Sequence, residues 1–352
     1  MARIKAMWIK SRMGYFWGVA ALIYLNFPLV AFSYPMFPGD QLVCHQDWVI
    51  DGTFTFGSQA SQPFHQRIGF DLTAMVIRSV TPSNAWEASY RYDHVRIESQ
   101  VGDASPVLLA IWPSRLVIGN QLAYDGRDNP DEPPPVLCNL LLEDFRAIIS
   151  PQGEVLRFEE DSRNRGMFPF LDLSQPLYET WMHRPPSPAT VGMKWAEDRP
   201  FRLFANRITI PASQTYEVKQ APSGPTQMTI LALERTIKNT PIRQIPVPMG
   251  SMVAPSLRFD ALGPDVNALP PDTRILSFTA STQGTVEYQM ERGFLSRKET
   301  HDWVSVEMEV PQPDGLERVR KTLLFDRKIA IGVTCHPCGN LSEEARMILL
   351  GN

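Results

Sequence analysis

Apolar and polar residues alternate with a period of two along most of this chain, the pattern of strands that bury one face. In residues 67–80, Ile68, Phe70, Leu72, Ala74 and Val76 fall on one side, and Thr81, Pro82, Ser83 and Asn84 then supply turn chemistry. Residues 86–98 answer with Trp86, Ala88, Tyr90 and Tyr92 on one face. The apolar phase then moves by one residue to Val95 and Ile97, which predicts a bulge at Asp93 and His94. Residues 145–149 and 155–158, separated by Ser150, Pro151, Gln152 and Gly153, read as a hairpin. The second half repeats the style, with strands over 203–210, 214–219 and 227–237. Residues 274–280 and 286–290 follow around a turn at 281–284, and then come 302–310, 319–325 and 329–333. A strand roughly every 10 residues is the rhythm of a sandwich or barrel.

Composition supports that picture. Proline accounts for 31 of 352 residues, and 43% are hydrophobic, so the chain is built of short elements joined by proline-rich turns and is not a disordered composition. The fold class expected is all-β or β-dominated α+β: two antiparallel sheet halves, as a curved sheet, half-barrel or sandwich, with a few short helices. The halves are residues 34–162 and 199–334, and a proline-rich connector with a short helix near 175–182 joins them over 163–198. Residues 240–271 read as a long loop with little periodicity. Residues 335–352 hold a Cys-x-x-Cys and a terminal helix over 341–350, with Asn340 and Glu343 spaced as a capping box.

The first 33 residues say where the rest works. Arg3, Lys5, Lys10 and Arg12 precede an uncharged stretch over 13–33 that ends with the small residues Ala31 and Ser33, the layout of an export signal. Asn26 and Pro28 interrupt the apolar run and favour cleavage after Ser33. The alternative is an uncleaved anchor, because about 20 apolar residues span a bilayer. Either way the body is expected outside the cytoplasm, periplasmic or extracellular. With a net charge of -4 and no run of like charge, no nucleic-acid partner is expected. Membrane contact is expected only through an uncleaved N-terminal segment.

In an exported chain, disulfides are the default state of Cys44, Cys138, Cys335 and Cys338. Four cysteines allow three pairings; the simplest joins Cys335 to Cys338 and Cys44 to Cys138. The Cys335-His336-Pro337-Cys338 motif follows an apolar strand and precedes the terminal helix, as thioredoxin-type sites do, but too few residues follow it for that domain. A structural disulfide is favoured over a redox centre or a metal site with His336, since no second Cys-x-x-Cys completes four ligands. Asp125, Asp128 and Asp131 cluster with Asn129 and Glu132 in an acidic turn that could hold calcium, but the spacing is not that of a calcium loop, and a solvated turn is favoured. No metalloprotease, nucleophile-elbow, phosphate-loop or dinucleotide pattern occurs, so no cofactor is expected. Trp86, Tyr90, Tyr92, Trp195 and Trp303 sit on or beside strands. Core packing is the first reading of these rings, and the lining of an apolar pocket is the second.

The turn Ser150, Pro151, Gln152, Gly153, Glu154, Val155 and the later segment Pro188, Ala189, Thr190, Val191, Gly192, Met193, Lys194, Trp195 resemble a family of uncharacterised exported bacterial proteins. In that family a turn ending Gly-x-Val precedes a Val-Gly-x-x-Trp segment, and a second β-rich half follows. The resemblance implies an extracytoplasmic β-rich body with two related halves, and it brings no activity, ligand or catalytic residue. The proline-rich loop of the second half departs from it. The function expected is that of an exported, non-enzymatic envelope or periplasmic protein that binds an apolar small molecule, a lipid or an envelope protein. The alternatives are a thiol-redox or metal protein centred on Cys335 and Cys338, and a hydrolase assembled from distant residues.

Overall fold

A computed structural model of the chain describes residues 41–80, 85–128, 130–139, 141, 144–149, 155–160, 185, 189–198, 201–203, 208–221, 228–246, 274–289, 294–312 and 317–337. The strands of the first half are β1 (Gln41–Phe56), β2 (Gln62–Val80), β3 (Ala85–Val101), β4 (Val107–Trp112), β5 (Arg115–Ile118), β6 (Gln121–Asp125), β7 (Phe145–Ile149) and β8 (Val155–Glu160). Those of the second are β9 (Lys194–Asp198), β10 (Phe201–Leu203), β11 (Ile208–Ile210), β12 (Ser213–Gln220), β13 (Met228–Pro246), β14 (Arg274–Gln289), β15 (Phe294–Pro311) and β16 (Arg318–Pro337). A single helical turn, α1 (Val136–Asn139), lies between β6 and β7. Among the described residues no helix is long and apolar enough to cross a membrane. The signal segment, the turns at 81–84 and 150–153, the connector helix, residues 247–271 of the expected loop, Cys338 and the terminal helix lie outside the described residues.

The β-dominated expectation holds. One antiparallel sheet of 14 strands carries the order β6-β5-β4-β3-β2-β1-β16-β15-β14-β13-β12-β9. β4 pairs with one end of β3, β7 pairs with the other end, and β8 continues from β7. β10 and β11 form a separate two-stranded ribbon. The two halves of the chain meet where β1 pairs with β16, from Leu42 opposite Pro337 to Phe56 opposite Leu323. Among the described residues the end strands β6, β8 and β9 do not pair with one another, so the sheet is open.

Alternation decides which face is buried. Cys44, Gln46, Trp48, Ile50 and Phe54 of β1 point to the inner face, and His45, Asp47, Val49 and Asp51 point outward. The predicted bulge is present: Asp71 faces His94 and Leu72 faces Tyr92, which leaves Asp93 as the extra residue. Asp93 accepts a hydrogen bond from the Thr73 hydroxyl at 2.6 Å. The predicted hairpin is β7–β8.

Several expectations are corrected. The strands are far longer than the predicted spacing, up to 20 residues in β16. The turn expected at 281–284 does not exist, because β14 runs straight through it; Gly284, with no Cβ, lets the Glu299 carbonyl of β15 come close. The strands expected at 319–325 and 329–333 are one strand, and Arg327, at the apparent break, is buried against Asp302. The strand expected at 203–210 is replaced by the β10–β11 ribbon.

The cysteine pairing is also corrected. Cys44 is bonded to Cys335 across 291 residues, and Cys138 is a buried free thiol. The reason is topological: β1 lies beside β16, and Cys44 and Cys335 are direct register partners whose side chains share the inner face, with Cα atoms 4.1 Å apart. Cys138 sits on α1 with its thiol near the Arg115 carbonyl, and burial pushes its pKa up.

Candidate functional site on the inner face of the sheet

The inner face is apolar along most of its rows. One such row runs from Val218 through Leu231 and Val286, then past Lys298 to Ile331, Trp48, Ile68, Ile97 and Leu109. A second row is different. Register places Gln214 of β12 opposite Arg235 of β13, Arg235 opposite Thr282 of β14, Thr282 opposite Asp302 of β15, and Asp302 opposite Arg327 of β16. This gives five polar side chains in line across five strands. Gln214, Thr282, Asp302 and Arg327 are all buried, and Arg235 is half-buried.

Within the row Arg327 donates to Asp302 Oδ2 at 3.3 Å, and Arg235 donates to the Thr282 hydroxyl at 3.3 Å. Asp302 Oδ1 has no hydrogen-bond partner, although the residue is only 2% exposed. At the β1 end Gly52 lies opposite Arg327, and a Cβ there would meet the Arg327 side chain. Lys298, four residues before Asp302 on the same face of β15, is also buried. Elsewhere on the inner face, Gln46 Nε2, Ser99 Oγ and Thr229 Oγ1 are buried without a hydrogen-bond partner. Burying a polar atom without a partner costs free energy, and cores rarely do so.

The aromatic candidates are not brought together. Tyr90 and Tyr92 are core residues, and the Tyr92 ring packs at 5.7 Å from Phe70 and 5.8 Å from Phe145. Desolvation pushes the Tyr90 hydroxyl pKa well above its ordinary value. Trp86 is half-buried, and Trp303 faces outward and is exposed. Trp195 stacks on Tyr216 at 4.8 Å. Beside that pair runs a groove of about 640 Å³ lined by Lys194, Thr215, Glu217, Ala232, Glu234 and Gln283 among others. Tyr216 and Leu233 are buried whereas Thr215, Glu234 and Gln283 are exposed, so the groove belongs to the outer face.

The metal candidates separate as well. The Asp125 carboxylate is taken by Arg127, through the guanidinium at 3.0 and 2.8 Å and the backbone N–H at 3.0 Å, which holds its pKa down to about 2. Asp128 and Asp131 are exposed, and His336 is exposed near the end of β16, opposite Val43. Among the described residues no three His, Cys, Asp or Glu side chains are placed to hold a metal ion.

The outer face carries histidine–aspartate pairs between neighbouring strands. His45 and His94 each donate from Nδ1 to Asp71, at 2.6 and 3.0 Å, and His94 stacks on Trp112 at 4.4 Å. His65 pairs with Asp51 and His301 with Asp326. Desolvation alone would raise the Asp71 pKa, but the hydrogen bonds from His45 and His94 outweigh it and hold the carboxyl below the ordinary aspartate value. A carboxyl lowered by folding contributes stability that is present above its unfolded pKa, near ~4, and is lost as pH falls through the folded pKa. With Asp71→Asn, urea midpoints should therefore fall less steeply than in the unmodified chain as pH drops from about 5 into the acid range. Parallel curves would mean that the two histidines contribute nothing through Asp71.

Sequence reasoning missed the buried row. Its signal was present: Lys298, Thr300 and Asp302 share the phase of Val304, Val306 and Met308, so polar residues continue the buried stripe of β15.

No protein-family model matches the chain, and no curated protein matches its sequence. Solved structures give distant likenesses. Lipovitellin, in a structure concerned with lipid–protein interactions, aligns over 87% of this chain at 10% identity with a TM-score of 0.36, and the chain spans 26% of that protein's length. The Pseudomonas putida toluene transporter TodX aligns over 89% of this chain and 94% of its own at 8% identity, with a TM-score of 0.15. Pseudomonas aeruginosa OpdK with vanillate aligns over 84% and 99% at 9% identity, with a TM-score of 0.14. At such scores none of them defines a shared fold with this chain.

Proposed function

We propose that this protein is an exported, non-enzymatic carrier that holds an apolar or amphipathic molecule against the inner face of its open sheet. The observation that carries the reading is the set of buried polar atoms without partners, Gln46 Nε2, Ser99 Oγ, Thr229 Oγ1 and Asp302 Oδ1, on a face that is apolar along most of its rows. Apolar walls with a few placed polar groups are the lining of small-molecule sites, and a ligand or its bound water supplies the missing hydrogen bonds. The export signal motivates the compartment, and the Cys44–Cys335 disulfide suits an oxidising one. The Cys335–Cys338 redox alternative loses support because Cys335 is already bonded to Cys44.

The test is direct. Full-length protein is purified without detergent, extracted with organic solvent and titrated with the uncharged fluorescent probe Nile red. The reading expects saturable binding near one probe per chain, and lipid-like molecules in the extract. A chain that releases nothing and binds Nile red without saturation would sink it.

A further inference from the structure

The buried row specifies more than an apolar ligand. Among the described residues, three cations, Arg235, Lys298 and Arg327, face the inner side of β13–β16 together with one acid, Asp302. Apolar side chains border the row on both sides: Ile237, Ala280, Val304, Phe325 and Phe54 on one, and Leu233, Ile329 and Ile50 on the other. Three strand spacings separate Arg235 from Arg327, about 14 Å. We propose that this row is the headgroup subsite for an anionic amphiphile, a single acid group on a long apolar tail, an inference that rests on the carrier reading above.

The subsite does not require a free cation. A guanidinium carries five donors in a fixed fork, so Arg327 can hold Asp302 Oδ2 and still donate to an oxygen of the ligand. Asp302 keeps Arg327 aimed along the row. Its second oxygen, Oδ1, has no partner and is an acceptor for a hydroxyl on the same headgroup. Thr282, held by Arg235, places a further hydroxyl between the two ends of the row. Gly52, opposite Arg327, has no side chain, so β1 closes directly against the Arg327 Cα and Cβ and fixes the base of that side chain. The tail then lies along the bordering apolar rows, where each methylene removed from water favours binding about fourfold whatever the headgroup. The tail therefore sets affinity, and the row sets preference for the acid.

The experiment uses delipidated full-length protein loaded with Nile red and displaced by matched pairs: oleate against oleyl alcohol, and monooleoyl glycerol phosphate against monooleoyl glycerol. At least one acid is expected to displace the probe at about one-tenth the concentration its neutral partner needs, the effect of a charge-assisted hydrogen bond. Which pair shows the larger gap identifies carboxylate or phosphate as the acid. In the double variant Arg235→Gln, Arg327→Gln the gap should fall to roughly twofold or less, with neutral lipids still displacing the probe. Equal displacement by acid and neutral partners in the unmodified chain overturns the subsite and leaves the carrier reading standing. Failure of Nile red and every lipid to bind the unmodified chain overturns the carrier reading itself. If the double variant does not fold, Arg235→Lys, which keeps the charge, must retain the acid preference, and loss of it there counts against the row.

Discussion

Replacing Cys44 with alanine should destabilise this protein by about 5 kcal/mol and lower its melting temperature by roughly 10 °C or more. The disulfide joins residues 291 apart, from the first described strand to the last. In the unfolded chain that link closes a very long loop, and the entropy it removes grows with loop length. In the folded chain it sits on the ladder of β1 with β16, which among the described residues is the one that joins the two halves of the sheet. Cys335→Ala should match Cys44→Ala, and the double variant should cost no more than either single, because all three lose the same bond. Cys138→Ala is the control. It removes a buried thiol that is in no disulfide, and should cost about 1 kcal/mol. Thermal unfolding with and without reductant checks the set. If reduced protein melts at the temperature of oxidised protein, the two halves are held together without the bond and the chain-entropy account is wrong.

Much of the fold could be read from period-two alternation. It located β2, β3, β12 and β15, the β7–β8 hairpin and the bulge at Asp93, because each depends on neighbouring residues and on which side of the pleat they fall. The failures have one physical origin. Ser281, Thr282, Gln283 and Gly284 look like a turn, and Asp326, Arg327 and Lys328 look like a break, because local chemistry there is polar. Yet Thr282, Asp302 and Arg327 answer one another across strands from positions 20 or more residues apart in sequence. Polar residues on a buried face are explained only by partners on other strands, and local pattern does not report those partners. The disulfide was missed for the same reason. Nothing near Cys44 indicates that the last strand of the described chain will lie beside the first. The candidate site inherits this limit: individual aromatics were visible, and the row that crosses five strands became visible only once register was known.

The close approach of β15 to β14 at Gly284 makes a sharp prediction about glycine. A Cβ added at Gly284 would lie 2.7 Å from the Thr300 Cα and closer still to the Glu299 carbonyl oxygen. One at Gly52 would lie 2.5 Å from the Asp326 carbonyl oxygen and 2.7 Å from the Arg327 Cβ. These neighbours are mainly backbone held in ladders, so they cannot rotate away as a flexible side chain would. Relief requires the strands to separate and loses ladder hydrogen bonds. Gly284→Ala and Gly52→Ala should each cost about 3 kcal/mol. Gly332 lies on β16, where an added Cβ would meet nothing within 4 Å. There Gly332→Ala should fall within about 0.5 kcal/mol of the unmodified chain, or stabilise it slightly by restricting the unfolded state. Urea denaturation of the three variants decides the matter. If Gly284→Ala is as stable as Gly332→Ala, β15 does not approach β14 at that point, and the turn that local chemistry predicts at 281–284 regains its standing against the continuous strand.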